Sequence, residues 1–270
     1  MVTSNYLTID DLETHQWRME NRESPSALSW RGKKLTIPAA VELACLVETK
    51  REFAIDCWPS REPTDCNNWR LFRRLGWPSC GPGQRISENN VGFISMPADS
   101  SDLFWTRCLR TFERNLRSNG FPIGLARGLT GALGEMADNV WQHSRTETPG
   151  LMGYEIRNRQ LAFGVADLGM GVLESLRTKS KHRHLTTSMD ALQTAILPGV
   201  SRYDFGGYGF STLFQAVAEL WGITRLRSGE AALVFDRQTE SRKRKHYYLP
   251  PLPGLQVLVS CRLKPSSTQP

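Results

Sequence analysis

Apolar residues recur at helical spacing over residues 102–112, and again from about Gly124 to His143. Short alternating stretches typical of strands follow, and they lead into a further helix and two final strands. The predicted strands span residues 151–156, 161–167, 231–235 and 256–262, and the later helix spans residues 210–220. Helices on one face of a mixed, mainly antiparallel sheet form a two-layer α/β sandwich, so we predict this α+β fold for residues 101–264.

The N-terminal part of the chain has a weaker pattern. Residues 1–28 lack sustained periodicity and end in a polar cluster, which predicts a loosely ordered leader. Residues 29–97 predict a small α/β domain that precedes the sandwich. Its predicted elements are a helix at residues 39–47, a strand at residues 52–58, a helix at residues 66–77 and an edge strand at residues 92–97. Residues 265–270 form a short tail.

The composition is typical of a globular protein, with 40% hydrophobic and 23% charged residues. No apolar run is long enough to cross a bilayer, and the N-terminus carries acids where a signal peptide carries basic residues. We therefore expect a cytoplasmic protein without a membrane partner. The six cysteines show no metal-ligand spacing and are expected to be reduced, mostly buried thiols.

A net charge of +7 raises the question of nucleic acid, because a basic face attracts phosphates. The basic residues gather mildly in four places, namely residues 70–74, 107–117, 179–184 and 241–246. A solvated face or loop is the simpler interpretation of these clusters, with residues 179–184 as the exception, and nucleic acid is not an expected partner. Salt-sensitive binding of DNA or RNA would reverse that expectation.

Three polar motifs lie within the predicted sandwich, and the first is on the helix that ends at His143. Glu135, Asn139 and His143 are spaced by four residues and therefore share one helical face. A carboxylate, an amide and an imidazole on one face can converge on a single ligand. This segment alone is equally compatible with a polar stripe that faces water.

Glycines define the other two motifs. Asp167-Leu168-Gly169-Met170-Gly171 follows a predicted strand and places a carboxylate beside glycines that let a ligand approach the backbone. Gly206-Gly207-Tyr208-Gly209 precedes a helix, where free N–H groups and the helix dipole favour phosphate. Each pattern also occurs in ordinary turns and hinges. The chain contains no P-loop motif and no dinucleotide-binding GxGxxG after a strand.

The order and spacing of these motifs resemble the N, G1 and G2 boxes of the GHKL (Bergerat-fold, HATPase_c-like) ATP-binding domains. That superfamily includes histidine kinases, anti-sigma-factor serine kinases, gyrase B subunits, MutL and heat-shock chaperones. The resemblance implies that Asn139 coordinates Mg²⁺ and that Asp167 accepts the adenine amino group of ATP. Glu135 matches the general base that polarises water or a substrate hydroxyl. His143 would lie near the phosphates or the magnesium ion.

The resemblance also assigns roles to the glycines and to the segment between them. Gly169 and Gly171 would pack against the base, and Gly206, Gly207 and Gly209 would line the triphosphate. Residues 172–206 correspond to a polar lid that is mobile without ligand. The lid cations Arg177, Lys179, Lys181, His182, Arg183 and His184 can neutralise phosphate charge. Two departures, Tyr208 and Leu255-Gln256 where a threonine is frequent, are expected to affect the phosphate end and not the adenine end.

Residues 29–97 resemble, in the order of their elements, the STAS-like domain found before some bacterial GHKL domains. The chain lacks both a dimerising helical hairpin with a phosphorylatable histidine and a transducer domain, so stand-alone anti-sigma-type kinases are the nearest analogue. Two functions stay open. One is a Mg-ATP-dependent ATPase or serine/threonine-type protein kinase in bacterial-style signalling, and the other is a nucleotide-gated protein-interaction module with little turnover. Expected partners are ATP and a protein or phosphoryl acceptor, and a homodimer is a further alternative.

Overall fold

A computed structural model describes residues 6–20, 34–49, 74–75, 77, 79–88, 90–99, 101–197, 209–237 and 243–264. The long strands are β3 (Gln84–Glu88), β4 (Val91–Ser95), β5 (Leu151–Arg157), β6 (Gln160–Ala166), β7 (Leu220–Asp236) and β8 (Lys243–Leu263). They form one antiparallel sheet in the order β3-β4-β5-β6-β8-β7. The short strands β1 (Tyr6–Leu7) and β2 (Lys34–Leu35) pair in parallel as a second sheet. The α+β sandwich with a mainly antiparallel sheet is thus confirmed.

Five helices in the described part of the chain cover the first face of the large sheet. They are α3 (Leu103–Ser118), α4 (Ile123–His143), α5 (Gly171–Arg177), α6 (Ser188–Ala195) and α7 (Gly209–Ala216). The buried residues Trp105, Phe112 and Leu116 form the inner stripe of α3. Phe112 packs edge-on against Tyr154 of β5, with ring centroids 5.5 Å apart. The helical periodicity of the sequence therefore identifies the face that meets the sheet.

Helices α1 (Ile9–Glu20) and α2 (Ile37–Thr49) cover the second face of the same sheet. The close approach of α2 depends on a strand glycine, since a Cβ at Gly164 would lie 3.1 Å from Cγ2 of Val41. Strand residues that point to this face are also apolar, for example Phe93 and Leu258. The sheet is therefore buried on both sides: the helices of residues 101–264 lie on one face, as expected, and helices from the N-terminal segment cover the other.

The N-terminal segments belong to this second layer. Residues 9–20 form α1, whose Leu12 is buried against α2, so the expected loose order does not hold for this part of the leader. Strands β3 and β4 continue the main sheet through β5, and the predicted boundary near residue 100 therefore divides a single sheet. The local pattern could not reveal this because the pairing partners are distant in sequence. The predicted strand at residues 52–58 and most of the predicted helix at residues 66–77 lie outside the described residues.

Buried charges join α1 and α2 to strand β7. Glu42 of α2 has no exposed surface and pairs with both Arg225 and Arg227. Arg225 also pairs with Glu13 of α1, and Nη2 of Arg227 donates to Oε1 of Gln16 at 3.0 Å. We call these five residues the ion cluster. Its carboxylates and guanidiniums balance in charge, which is the condition for burying such groups.

The segment predicted as a mobile lid is helical and packed over residues 172–197. The side chain of Thr187 accepts from the backbone N of Asp190 at the start of α6. Apolar residues of this segment, namely Val172, Leu176, Leu185, Met189, Ala191 and Leu192, lie in the first-face core. The oxygens of Glu230 accept from the backbone N and from Oγ of Ser188, at 3.1 and 2.7 Å. Residues 172–197 thus share the main core instead of standing apart from it as the expected polar lid, and residues 198–206 lie outside the described part.

Candidate functional site

Glu135, Asn139 and His143 occupy successive turns of α4, and each is half-buried. Oε1 of Glu135 accepts from Oγ1 of Thr212 on α7 at 3.0 Å. Oε2 of Glu135 is buried and has no hydrogen-bond partner among the described residues. One carboxylate oxygen is thus fixed by α7 while the other is left to accept a proton or a hydrogen bond.

The other end of the polar stripe meets helix α5. Nδ1 of His143 lies 3.3 Å from Oγ of Ser175. Helices α7 and α5 therefore contact the stripe at its first and last residues, and Asn139 lies one turn from each contact. The structure holds the three predicted residues on one face of α4, between two helix contacts.

Asp167 follows strand β6 and is 5% exposed. Its Oδ1 accepts from the backbone N of Gly169 at 2.7 Å, and its own backbone N donates to the carbonyl oxygen of Leu255 at 3.1 Å. Burial raises the pKa of Asp167 to about 6, although hydrogen bonding by the backbone of Gly169 and of Leu255 acts to lower it. The group is therefore mostly ionised at neutral pH, inside the protein and without an ion-pair partner in the described part.

The loop from Asp167 to Gly171 contacts the end of α4 directly. The backbone N of Met170 donates to the carbonyl oxygen of Ser144 at 3.0 Å. A Cβ at Gly169 would lie 2.0 Å from that same oxygen, so only glycine permits this approach. The first two predicted motifs are therefore brought together at the C-terminal end of α4.

Three residues hold the Asp167 loop from behind, and sequence reasoning missed the role of each, although it had noted Gln256 as a departure. Oγ of Ser228 accepts from the backbone N of Val172 at 2.9 Å and donates to the carbonyl oxygen of Gly254 at 2.8 Å. Gly254 has a φ of +78°, and a Cβ there would lie 2.0 Å from the carbonyl oxygen of Asp167. Nε2 of Gln256 donates to the same oxygen of Asp167 at 3.3 Å. Gly254 is the one residue of this set with a local signal, because it comes just before the strand predicted at residues 256–262.

These contacts correct one expectation about the site. The departure at Leu255-Gln256 was expected to affect the phosphate end of the site and to leave the adenine end unchanged. Instead, both residues bond to the backbone of Asp167, which the resemblance assigns to adenine. Because Leu255 and Gln256 lie on β8, beside the end of β6, the sheet register determines this position.

The remaining predicted glycines divide between described and undescribed residues. Gly171 begins α5 with a φ of +73°, and a Cβ there would lie 2.9 Å from Oγ of Ser228. Gly209 begins α7, the helix that carries Thr212. Gly206 and Gly207 lie outside the described residues, as does Tyr208.

A cavity of about 390 Å³ adjoins the Asp167 loop and is lined by Met170, Glu174, Arg177, Thr178 and Arg183. Within it, Nη1 of Arg177 donates to Oε1 of Glu174 at 3.1 Å. Of the predicted lid cations, Arg177 and Arg183 therefore border this cavity. His182 is instead 8% exposed, and burial together with the neighbouring charges of Lys181 and His184 lowers its pKa.

Among the described residues, no three His, Cys, Asp or Glu side chains are grouped so that they could hold a metal ion. A metal at this site would depend on Asn139 as an oxygen ligand, with phosphate and water as the others. Mg²⁺ tolerates such a site because it keeps most of its water and binds few protein groups.

A comparison of the sequence with protein-family models found no match, and a comparison with curated proteins found none either. No helix in the described part of the chain is long and apolar enough to cross a membrane.

Proposed function

We propose that this chain binds ATP together with Mg²⁺, as a member of the GHKL superfamily. One observation carries the proposal: the polar stripe of α4 and the Asp167 loop meet through the bond from the backbone N of Met170 to Ser144. A carboxylate, an amide and an imidazole thereby border a glycine loop whose own carboxylate is buried. This combination supplies both a base-reading acceptor and a metal ligand.

The donor set fits the proposed ligand. The Asp167 carboxylate is an acceptor without a charged partner among the described residues, and the exocyclic amino group of adenine is a donor. Guanine presents a carbonyl oxygen at the equivalent position, which a carboxylate repels. The absence of a Cβ at Gly169 and Gly254 keeps the loop compact around Asp167. Arg177 and Arg183 of the neighbouring cavity carry charge of the sign that phosphate requires.

Within this proposal Glu135 is the general base. Thr212 fixes Oε1 of Glu135, and the unpartnered Oε2 accepts the proton of a water or substrate hydroxyl. Bound magnesium would supply charge neutralisation for the phosphates, with Asn139 as its protein ligand. The reaction would be ATP hydrolysis or transfer to a serine/threonine-type hydroxyl in bacterial-style signalling.

Incubation of the purified chain with γ-labelled ATP and Mg²⁺ tests the proposal. Labelled free phosphate indicates an ATPase, and labelled protein indicates a kinase. Glu135→Gln should lower turnover about 100-fold while ATP affinity changes only a few-fold, because a base acts in the chemical step. Glu147→Gln, at an exposed position beyond α4, is the matched control and should leave both unchanged.

If the chain is instead a nucleotide-gated interaction module, we expect a different result in the same assay. ATP would bind with the same dependence on Asp167, but neither product would form with the wild type or with Glu135→Gln. Absence of ATP binding altogether would reject both functions.

A further inference from the structure

Four arginines of α3 lie on its outer surface: Arg107, Arg110, Arg114 and Arg117. All four are exposed. At about 100° per residue, their spacing of three, four and three places them within about 80° of the helix circumference. At about 1.5 Å per residue, the row is about 15 Å long. We call this row the arginine stripe.

The stripe is a rigid and nearly unopposed array of positive charge. Helix α3 is anchored from its other side by Trp105, Phe112 and Leu116, which are buried. Its one acid, Glu113, is half-buried and lies 3.8 Å from Nε of Arg127 on α4. None of the four stripe arginines forms an ion pair with a residue of the described ranges. Their side chains are exposed, and within the described ranges no acidic side chain neutralises them.

The chemistry of the stripe favours phosphate over other anions. Arginine presents a planar fork that binds phosphate oxygens in pairs, and the stripe contains arginine alone. The one aromatic residue between Arg107 and Arg117 is Phe112, which is buried, so this part of α3 offers no exposed ring on which an unpaired base could stack. These features suit a double-stranded backbone and not a single strand.

We propose that the arginine stripe binds the phosphate backbone of duplex DNA without regard to sequence. A duplex carries about one negative charge per 1.7 Å of its axis with both strands counted, so about 15 Å of DNA carries about nine charges, and those on the near side would face the stripe. The net charge of +7 keeps the rest of the chain from opposing this contact. The stripe belongs to α3 and does not depend on the nucleotide site, which lies between α4, α5 and α7.

Fluorescence anisotropy with a labelled 20-base-pair duplex, between about 50 and 200 mM salt, tests the proposal on the full chain. Arg110→Gln with Arg114→Gln should weaken binding about tenfold or more and reduce the salt slope by about 2, since each phosphate contact contributes about 0.9. Lys245→Gln with Lys264→Gln removes the same charge from exposed positions elsewhere and should change affinity less than about twofold. The double variant Arg110→Lys with Arg114→Lys keeps the charge and should show the salt slope of the wild-type chain.

Several results would overturn the proposal. One is a wild-type chain that does not bind the duplex at about 50 mM salt. Another is an equal loss of affinity in the double arginine variant and the double lysine variant, which would indicate that DNA binds through net charge and not at a defined site. Equal affinity for a single-stranded oligonucleotide, or for an acidic peptide of the same charge, would show that the stripe does not read the duplex backbone.

Discussion

The two faces of the sheet use carboxylates in opposite ways. On the first face, Glu135 is half-buried and keeps one oxygen without a partner among the described residues. On the second face, Glu42 is fully buried and both of its oxygens pair with arginines. A carboxylate with an oxygen to spare is suited to a ligand, whereas one that is fully paired stabilises the fold. Both residues are glutamates, so residue type does not distinguish them; their hydrogen-bond and ion-pair partners do.

The largest expected effect lies on the second face. Glu42→Gln should lower the free energy of unfolding by about 3–5 kcal/mol, because it removes the carboxylate that pairs with buried Arg227 and leaves Arg225 with Glu13 alone. Glu48→Gln, exposed on the same helix, should cost less than about 0.5 kcal/mol. Urea unfolding followed by circular dichroism measures both. Equal values for the two variants would show that the ion cluster does not contribute as its burial indicates.

A smaller effect, seen in binding, is expected on the first face. Asp167→Asn should weaken ATP affinity by about 1.5–3 kcal/mol, the range for a charge-assisted hydrogen bond. Asp99→Asn, at an exposed loop position, should bind ATP like the wild type. Calorimetric titration gives both affinities, and an unchanged affinity in Asp167→Asn would remove this residue from the site.

The raised pKa of Asp167 predicts that both the stability of the fold and the affinity for ATP depend on pH. Because its folded pKa is raised from 3.8 to about 6, the folded state favours the protonated acid. Its contribution to stability is therefore complete below the ordinary value and is lost as the pH rises through about 6. In the proposed complex the adenine amino group donates to the ionised carboxylate, so ATP affinity should fall below pH 6 and binding near that pH should release protons.

Titrations at pH 6 in two buffers of different ionisation enthalpy measure this proton release. The Asp167→Asn variant is the control, since it retains the titration of ATP itself and loses that of the carboxyl. Equal proton release in the variant and the wild type would mean that Asp167 does not titrate on binding.

The smallest effect concerns residues 172–197, which pack in the first-face core. Their amides in α5 and α6 should already be protected from hydrogen exchange without ligand, because Leu176 and Leu192 are buried there. Saturating Mg-ATP should add little further protection of these amides. Exchange by mass spectrometry checks this, and fast exchange that slows on ATP addition would restore the mobile lid over these residues.

The elements that were predicted well are those with local signals. Helix α4 and strands β5 and β6 follow from periodicity, and the Asp167 loop from its glycines. Helix α1 could not be found in this way, because Glu13 pairs with Arg225, which is 212 residues away in sequence. Ser228 and Gln256 likewise act through contacts 56 and 89 residues distant. A sequence pattern reflects residues that are close along the chain, whereas these residues act through contacts that are distant in sequence.

The ion cluster has a consequence for the order in which the chain folds during synthesis. Glu42 emerges early, yet Arg225 lies 183 residues later in the sequence. Until β7 has been made, α2 carries a carboxylate on a surface that is otherwise apolar, and it cannot seal against the sheet. We therefore expect the N-terminal helices to dock only after the last hairpin has formed, so that the second face closes late and slowly, as is usual for long-range pairing.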